Sequence, residues 1–558
     1  MRKICRLVLS VILSALLIGC SEGESSITEI TEETAASVDT AGVSETTTRK
    51  KRKEKVKETR TEPVTEPVSY DIGTDIPVIS INTKNQSEDV MDFITEPVSL
   101  HVAESIASWT PGYRMPPEPY YEACTVTVTG TDDVVTLDSV DAEVKVRGNW
   151  TTTYEKKPLR IKFTEKQNIL GLNDGAQMKN WVLLAEYKDG SMLRNKVSMS
   201  MAEEILSEDG LYTGDTEFVE VEVNGQYWGV YLLTEMQQIN PDRIDITEAE
   251  KGYTGTDIGY FMEFDGYFVD EQPLNSLHIG YADNSALIPF EGDENSERTV
   301  KCLNDVKTGN KSDIGITVKS DINSQEQHNF IENYMDNVYK IMYYAAYNNK
   351  AYEFNQDFTE ISESDALTPQ EAVEKAVNVQ SLADMYIVSE RTCDADIYWS
   401  SFFMDVDFGA EGDKKLTYEA PWDFDSGLGN KDRCADGTGF YAASIVPDVN
   451  NQYKTINPWL AVLIQEKWFQ DIIREKWTKA YDAGVFERTF EMISSDTEQY
   501  KDAFTRNYQR WNNLADKSAY EGELSRDSAK CKTHAEASEH LLGWLTARVK
   551  FLNDYWHS

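Results

Sequence analysis

At 558 residues, 40% hydrophobic and 11% aromatic, the chain has apolar material for several domains of about 150 residues each. Asp and Glu number 96 against 54 Lys and Arg, a formal charge of −42, which argues against a nucleic-acid binder, since that needs a basic footprint. Seven cysteines with no CxxC pair and six scattered histidines with no HExxH argue against a zinc ribbon, a thioredoxin-type site or a zinc hydrolase.

The chain starts with Met1-Arg2-Lys3 and Arg6, followed by an apolar run from Leu7 to Ile18. That run is shorter than the roughly 20 residues of a spanning helix and reads as a signal-peptide core. It ends in Leu17-Ile18-Gly19-Cys20, which resembles the lipobox of bacterial lipoproteins. On that reading residues 1–20 are a lipoprotein signal peptide, Cys20 carries lipid, and the body works on the extracellular side of the cell membrane. The alternative is an ordinary secretory signal with an incidental cysteine. Acyl chains contribute roughly 0.8 kcal/mol per buried methylene, so a multiply acylated Cys20 anchors stably. Outside the cytosol a disulfide among the later cysteines is open.

Residues 21–70 are rich in Ser, Thr and Glu and include the tandem Thr61-Glu62-Pro63-Val64-Thr65-Glu66-Pro67-Val68. Such a stretch buries too little apolar surface to offset its ordering entropy and is expected to be a disordered tether. The basic run Arg49 to Lys55 is expected to be solvated.

Strand patterns follow. Pro77 to Ile81 opens them, and Cys124 to Val128, Ala142 to Arg147 and Leu159 to Phe163 alternate at period two. Glu217 to Val223 puts Val219, Val221 and Val223 on one face and Glu220 and Glu222 on the other. Asn224-Gly225 then predicts a type I′ hairpin turn, with Tyr227 to Leu233 as the return strand. Helical stripes come later, at Phe330 to Ala345, Gln380 to Glu390, Pro458 to Phe469 and Leu541 to Trp556. Strands first and helices afterwards predict an α+β fold, with a sheet-rich first lobe and a helical second lobe.

Three segments combine turn residues with polar groups. In the first, Arg147-Gly148-Asn149-Trp150-Thr151-Thr152-Thr153 joins two alternating strands, and a Gly-led, hydroxyl-rich loop can present N–H groups to phosphate. Lys157 lies beside it, and Arg160 and Lys162 share one face of the next strand. A solvated strand face with an ordinary turn is the plainer reading. In the second, Pro421 to Asn430, Asp423 and Asp425 point the same way if the piece is extended, and their hard oxygens suit Mg²⁺ or Mn²⁺. The plainer reading is an Asx-rich turn beside a buried Trp. In the third, Cys393 to Phe403, a carboxylate before an aromatic strand can accept the proton of an attacking hydroxyl. Its plainer reading is a helix-to-strand loop.

Taken in order, these segments resemble the CotH (spore coat protein H) kinase-like family. The resemblance rests on Arg147-Gly148-Asn149 with Lys157 to Phe163, and on Asn180 to Ala185 with Asp189, Ser191, Met192, Leu193, Arg194 and Asn195. It continues through Val223 to Glu235, Gly259 to Asp265, Asp396, and Trp422 to Asp425. It covers roughly residues 75 to 480, and the pairing of NGQYWGVYLLTE with PWDFDSGLG is its most specific part.

The resemblance implies a divergent protein-kinase-like, two-lobed domain over 71–480, with 481–558 as a helical extension packing on the second lobe. It also implies transfer of the ATP γ-phosphate to Ser or Thr of a secreted or surface protein, with Mg²⁺ or Mn²⁺ as cofactor. By position, Asp396 is the catalytic base and Asp423 or Asp425 holds the metal. Arg147, Asn149, Lys157, Arg160 and Lys162 are candidates for nucleotide phosphates, and Glu235 is a candidate to orient one of these cations. Family members often carry Asn a few residues after the catalytic Asp, where this chain has Ser400 and Ser401. The competing expectation is a catalytically silent CotH domain serving as a surface-binding or scaffolding module, in a polysaccharide-handling system for example.

Overall fold

Alternating apolar residues in the first half build strands β1 (Val78–Thr83), β2 (Glu122–Thr129), β3 (Val135–Val146) and β4 (Leu159–Gln167). They are followed by β5 (Met178–Leu184), β6 (Thr216–Val223) and β7 (Gln226–Glu235). This computed structural model describes residues 72–558 except 74, 86, 88, 291–298, 306–310, 313 and 446–454. The expected signal peptide, Cys20 and the 21–70 tether lie outside the described residues.

The strands close into a barrel in the order β1-β2-β3-β4-β5-β7-β6. All neighbours are antiparallel except the closing pair, where β1 lies parallel to β6 with Ile79 opposite Val221. The Asn224-Gly225 turn has φ of 52° and 74°, the two positive values a type I′ hairpin requires. Ile81, Val126, Val144, Ile161, Trp181, Val221 and Tyr231 fill the interior. Val182, Leu184, Phe218, Val230 and Leu232 point outward into a second, larger core. β7 therefore reads as a near-continuous apolar run, because both its faces are buried.

The second core lies against the rest of the chain. Helix α1 (Arg194–Leu206) follows β5 directly. A four-stranded antiparallel sheet combines β8 (Gly259–Asp265), β9 (Ser276–Leu277), β10 (Gly315–Val318) and β11 (Phe402–Asp407) in the order β11-β8-β10-β9. Helices α2 (Gln325–Asn348) and α3 (Val379–Thr392) carry two of the expected stripes. The stripe from Pro458 to Phe469 is broken: one turn spans Pro458–Ala461, and α4 starts at Lys467 and runs to Asp482. Helices α5 (Val485–Gln499), α6 (Lys501–Trp511) and α7 (His534–Trp556) complete the chain. The α+β expectation holds. The strand-rich half is a closed barrel, and the helical half contains a sheet of its own.

The C-terminal helices do more than cover the second half. Trp511 Nε1 donates to the Trp228 carbonyl at 2.7 Å, Arg506 pairs with Glu220 at 2.7 Å, and Asn507 Oδ1 accepts from Val230 N at 3.1 Å. In this way α6 is fastened to the outside of the barrel, while α7 packs on α4 and α5.

Candidate active site

One cleft runs between the barrel and the second half, and its walls bring together Arg147, Asn149, Arg160, Asp396, Asp423 and Asp425. The loop after β3 supplies the first wall. Arg147 N donates to the Pro158 carbonyl at 2.9 Å, which holds the loop's two ends together. Gly148 has φ of 97°, and a Cβ there would meet Thr151 Oγ1 at 2.5 Å, so only glycine fits. The next residues form a 3₁₀ turn, Trp150–Thr153. The Arg147 guanidinium lies over the Trp422 ring, 5.5 Å from its centroid.

The expected cations separate. Arg160 faces the cleft and donates to Asn180 Oδ1 through Nε at 3.0 Å and Nη2 at 2.7 Å. Lys162 is exposed and lies 5.5 Å from the centroid of Tyr121. Lys157 is buried, and its ammonium bonds the Thr152 carbonyl of its own loop. Neither Lys157 nor Lys162 lines the cleft. Glu235 pairs with Arg243 at 3.0 Å in a fully buried bridge, with Asn173 and Tyr212 also donating to its carboxylate. Its cation is thus Arg243, which the sequence reading did not single out.

The opposite wall is acidic. Helix α3 ends at Cys393 in the left-handed conformation, and the chain turns through Asp394-Ala395-Asp396. Trp399 N and Ser400 N both donate to the Asp396 carbonyl, at 2.8 and 2.9 Å, and Asn457 Nδ2 braces the loop through the Ile397 carbonyl at 2.7 Å. Lys431 Nζ stands 3.5 Å from Asp396 Oδ1. Burial pushes the Asp396 carboxyl up, but Lys431, Lys188 and Arg433 outweigh it and hold it below the usual carboxylate range. Asp396 is therefore ionised. Ser400 and Ser401 also line the cleft.

Asp423 and Asp425 do not lie on an extended piece. Asp423 is left-handed at φ 70°, and Phe424–Ser426 is a 3₁₀ turn. The kink arises because Phe424 N is drawn to Asn195 Oδ1 at 2.7 Å while Leu428 N bonds the Thr392 carbonyl at 2.7 Å. Both carboxylates still line the cleft. Burial, then repulsion from Asp425 and Asp396, push the Asp423 carboxyl up to about 7.

Lys188 is a cleft cation that sequence reading missed. It lies in the loop between β5 and α1, buried, with Nζ 3.3 Å from Asp425 Oδ1 and in contact with Ser426 Oγ. Burial pulls its pKa down, but Asp425 and further acidic neighbours outweigh that and raise it well above the ordinary lysine value. Its signal was the charged run Glu186-Tyr187-Lys188-Asp189 directly after an apolar strand. Asp189 organises that loop: its carboxylate accepts from Ser191 N and Arg194 N, each at 2.9 Å, and ion-pairs with Arg194. A second charged group, Glu263 with Lys319 at 2.6 Å and neighbouring Asp265, lies further along the cleft.

The sequence matches the family described as CotH kinase protein across residues 144–552. The chain belongs to the CotH kinase family. The match takes in both cleft walls and extends through the C-terminal helices. This CotH chain is also 28% identical over 147 residues to the inner spore coat protein H of Bacillus subtilis (strain 168), covering 25% of this chain and 36% of that protein. The aligned part thus spans about a third of that relative's length.

Hard carboxylate oxygens beside one another suit Mg²⁺ or Mn²⁺, which are commonly held by one or two carboxylates with waters completing the shell. Among the described residues, no three His, Cys, Asp or Glu side chains converge into a ready cation cage. Asp423 and Asp425 fit as the pair that would hold such an ion, because both line the cleft and part of what lifts the Asp423 carboxyl, after burial, is repulsion that a divalent charge relieves.

Proposed function

We propose that this CotH protein is a surface-anchored atypical protein kinase with a kinase-like two-lobed arrangement, the barrel serving as one lobe. It transfers the ATP γ-phosphate to Ser or Thr of a secreted or surface protein. The observation that carries this reading is the meeting of Arg147 with the Trp422-Asp423-Phe424-Asp425 loop across one cleft. Phosphoryl transfer needs mainly positioning and charge neutralisation, and here a cationic wall faces an acidic one.

Arg147, Arg160 and Asn149 would face the phosphate chain, with Lys188 available at the base of the carboxylate loop. A divalent ion held by Asp423 and Asp425 would neutralise charge on the phosphates. Asp396 accepts the proton of the acceptor hydroxyl as its oxygen bonds to the γ-phosphorus. The bond from the γ-phosphorus to the β,γ-bridging oxygen breaks and ADP leaves with that electron pair. Its depressed pKa keeps Asp396 ionised for this role, at the expense of base strength. The lipid anchor at Cys20 would hold the domain outside the cell membrane. Among the described residues, no helix is long and apolar enough to cross a membrane.

The test is incubation of the purified chain with labelled ATP and Mg²⁺ or Mn²⁺, reading self-labelling and labelling of secreted proteins. Equal labelling by wild type and Asp396→Ala removes the base assignment. If nucleotide produces no thermal shift with either ion, the silent surface-binding module is the correct reading.

A further inference from the structure

Glu186 is the most anomalous residue of the cleft that the proposed transfer leaves without a task. It lines the cleft yet is only 4% exposed. Its backbone is left-handed, at φ 49°, a conformation that is uncommon for a residue with a Cβ and clusters at functional sites. One carboxylate oxygen, Oε1, accepts from Asn195 Nδ2 at 2.9 Å. The other, Oε2, is buried without a hydrogen-bond partner. An unpartnered buried carboxylate oxygen costs folding free energy, so retaining one on a strained backbone needs a compensating use.

The Asn195 contact shows where that use lies. The same amide whose Nδ2 is held by Glu186 presents Oδ1 to Phe424 N, between Asp423 and Asp425. With Nδ2 committed to Glu186, the amide cannot flip, and Oδ1 stays directed at the carboxylate loop. Asp423 is itself left-handed, so the turn depends on such an outside tether.

We propose that Glu186 is a positioning residue for the divalent-cation site. Through Asn195 it fixes the kink that aims Asp423 and Asp425, acting as an outer partner rather than a direct ligand. This inference rests on the kinase reading only in taking Asp423 and Asp425 as cation-holding. Outer partners of this kind typically change metal affinity by about 10–100-fold.

The test is Mn²⁺ binding to the full chain without nucleotide, followed by electron paramagnetic resonance of free Mn²⁺, together with thermal unfolding in EDTA. Glu186→Gln retains an acceptor for the Asn195 amide, whereas Glu186→Ala removes it. Glu186→Ala is expected to weaken Mn²⁺ binding about 10-fold and Glu186→Gln to bring it back near the wild-type value, a rescue that a contribution to stability alone would not give. Asn195→Ala, which cuts the tether, is expected to weaken Mn²⁺ binding similarly, so the proposal stays testable should Glu186→Ala fold poorly. Wild-type Mn²⁺ affinity in Glu186→Ala or Asn195→Ala overturns the proposal and leaves the kinase reading intact. If the wild-type chain binds no Mn²⁺ at all, both readings fall together.

Discussion

Lys188 Nζ lies 3.3 Å from Asp425 Oδ1, joining the loop after β5 to the carboxylate loop more than two hundred residues later. Both side chains are about nine-tenths buried, so each is the other's main compensation for leaving water. Breaking a buried pair from one side is costly because it strands the remaining charge.

Lys188→Met is accordingly expected to lower stability by about 3 kcal/mol, read from the midpoint of urea unfolding. Asp425→Asn in the same chain should restore much of that loss, since it removes the stranded carboxylate. A double mutant that loses the sum of both single effects would show that the two residues do not act as a pair.

Asp396→Asn should reduce phosphoryl transfer by roughly 10²–10⁴-fold, the range of a general base, while nucleotide affinity changes little. Lys431, Lys188 and Arg433 overcome burial to keep Asp396 ionised. The acid limb of the transfer rate contributed by this residue should therefore lie below the ordinary carboxylate range. Rate measurements from pH 4 to 8 on wild type and Lys431→Met check this, with the limb moving to higher pH in the variant.

Of the basic residues near the loop after β3, Arg147 faces the cleft and Lys162 faces outward over Tyr121. Arg147→Ala is expected to weaken ATP binding about 10-fold or more, whereas Lys162→Ala should leave it unchanged. Calorimetric titration with ATP and Mn²⁺ separates the two. Equal losses would mean that the strand face, not the cleft, attracts nucleotide.

Glu523 ties the C-terminal segment to the first wall. Its carboxylate accepts from Trp150 Nε1 at 2.8 Å and from Tyr154 OH at 2.8 Å. Hydrogen bonds to a charged group are worth about 1.5–3 kcal/mol each. Glu523→Ala should increase amide exchange in residues 147–154 while leaving the barrel core protected. Unchanged exchange in that loop would show that the C-terminal segment does not restrain it.

Asp405, on β11, and Glu419 form a buried acid pair. Burial, then Glu419, push the Asp405 carboxyl far up, and burial raises Glu419 to about 7 despite the Tyr212 N–H bonded to it. The folded state holds a proton here that the unfolded chain releases near pH 4. This contribution to stability is therefore full below about pH 4 and lost as pH rises through about 7. Glu419→Gln should flatten that decline and stabilise the chain at pH 8 by up to about 3 kcal/mol, measured as urea midpoints at pH 5 and pH 8.

Local chemistry determined much of what the strands and helices became. The strand-like run Pro77 to Ile81 located β1, period-two alternation located β2 to β4 and β6, Asn224-Gly225 specified the tight turn, and apolar stripes located α2, α3 and the body of α7, because those signals depend only on near neighbours. The pattern could not show barrel closure, since β1 meets β6 across more than a hundred residues of chain and a strand's alternation does not name its partner. The same limit applied to the site. Arg147, Arg160, Asp396, Asp423 and Asp425 were legible as polar groups on turns and a strand face. Which basic side chain reached the cleft was decided by packing: Lys157 bent back to Thr152 and Lys162 turned outward. Lys188 and Glu186 were hidden inside an ordinary-looking charged run. Only the folded chain, by drawing Phe424 to Asn195 and Asp425 to Lys188, gave them partners, and burial is what makes such charges consequential.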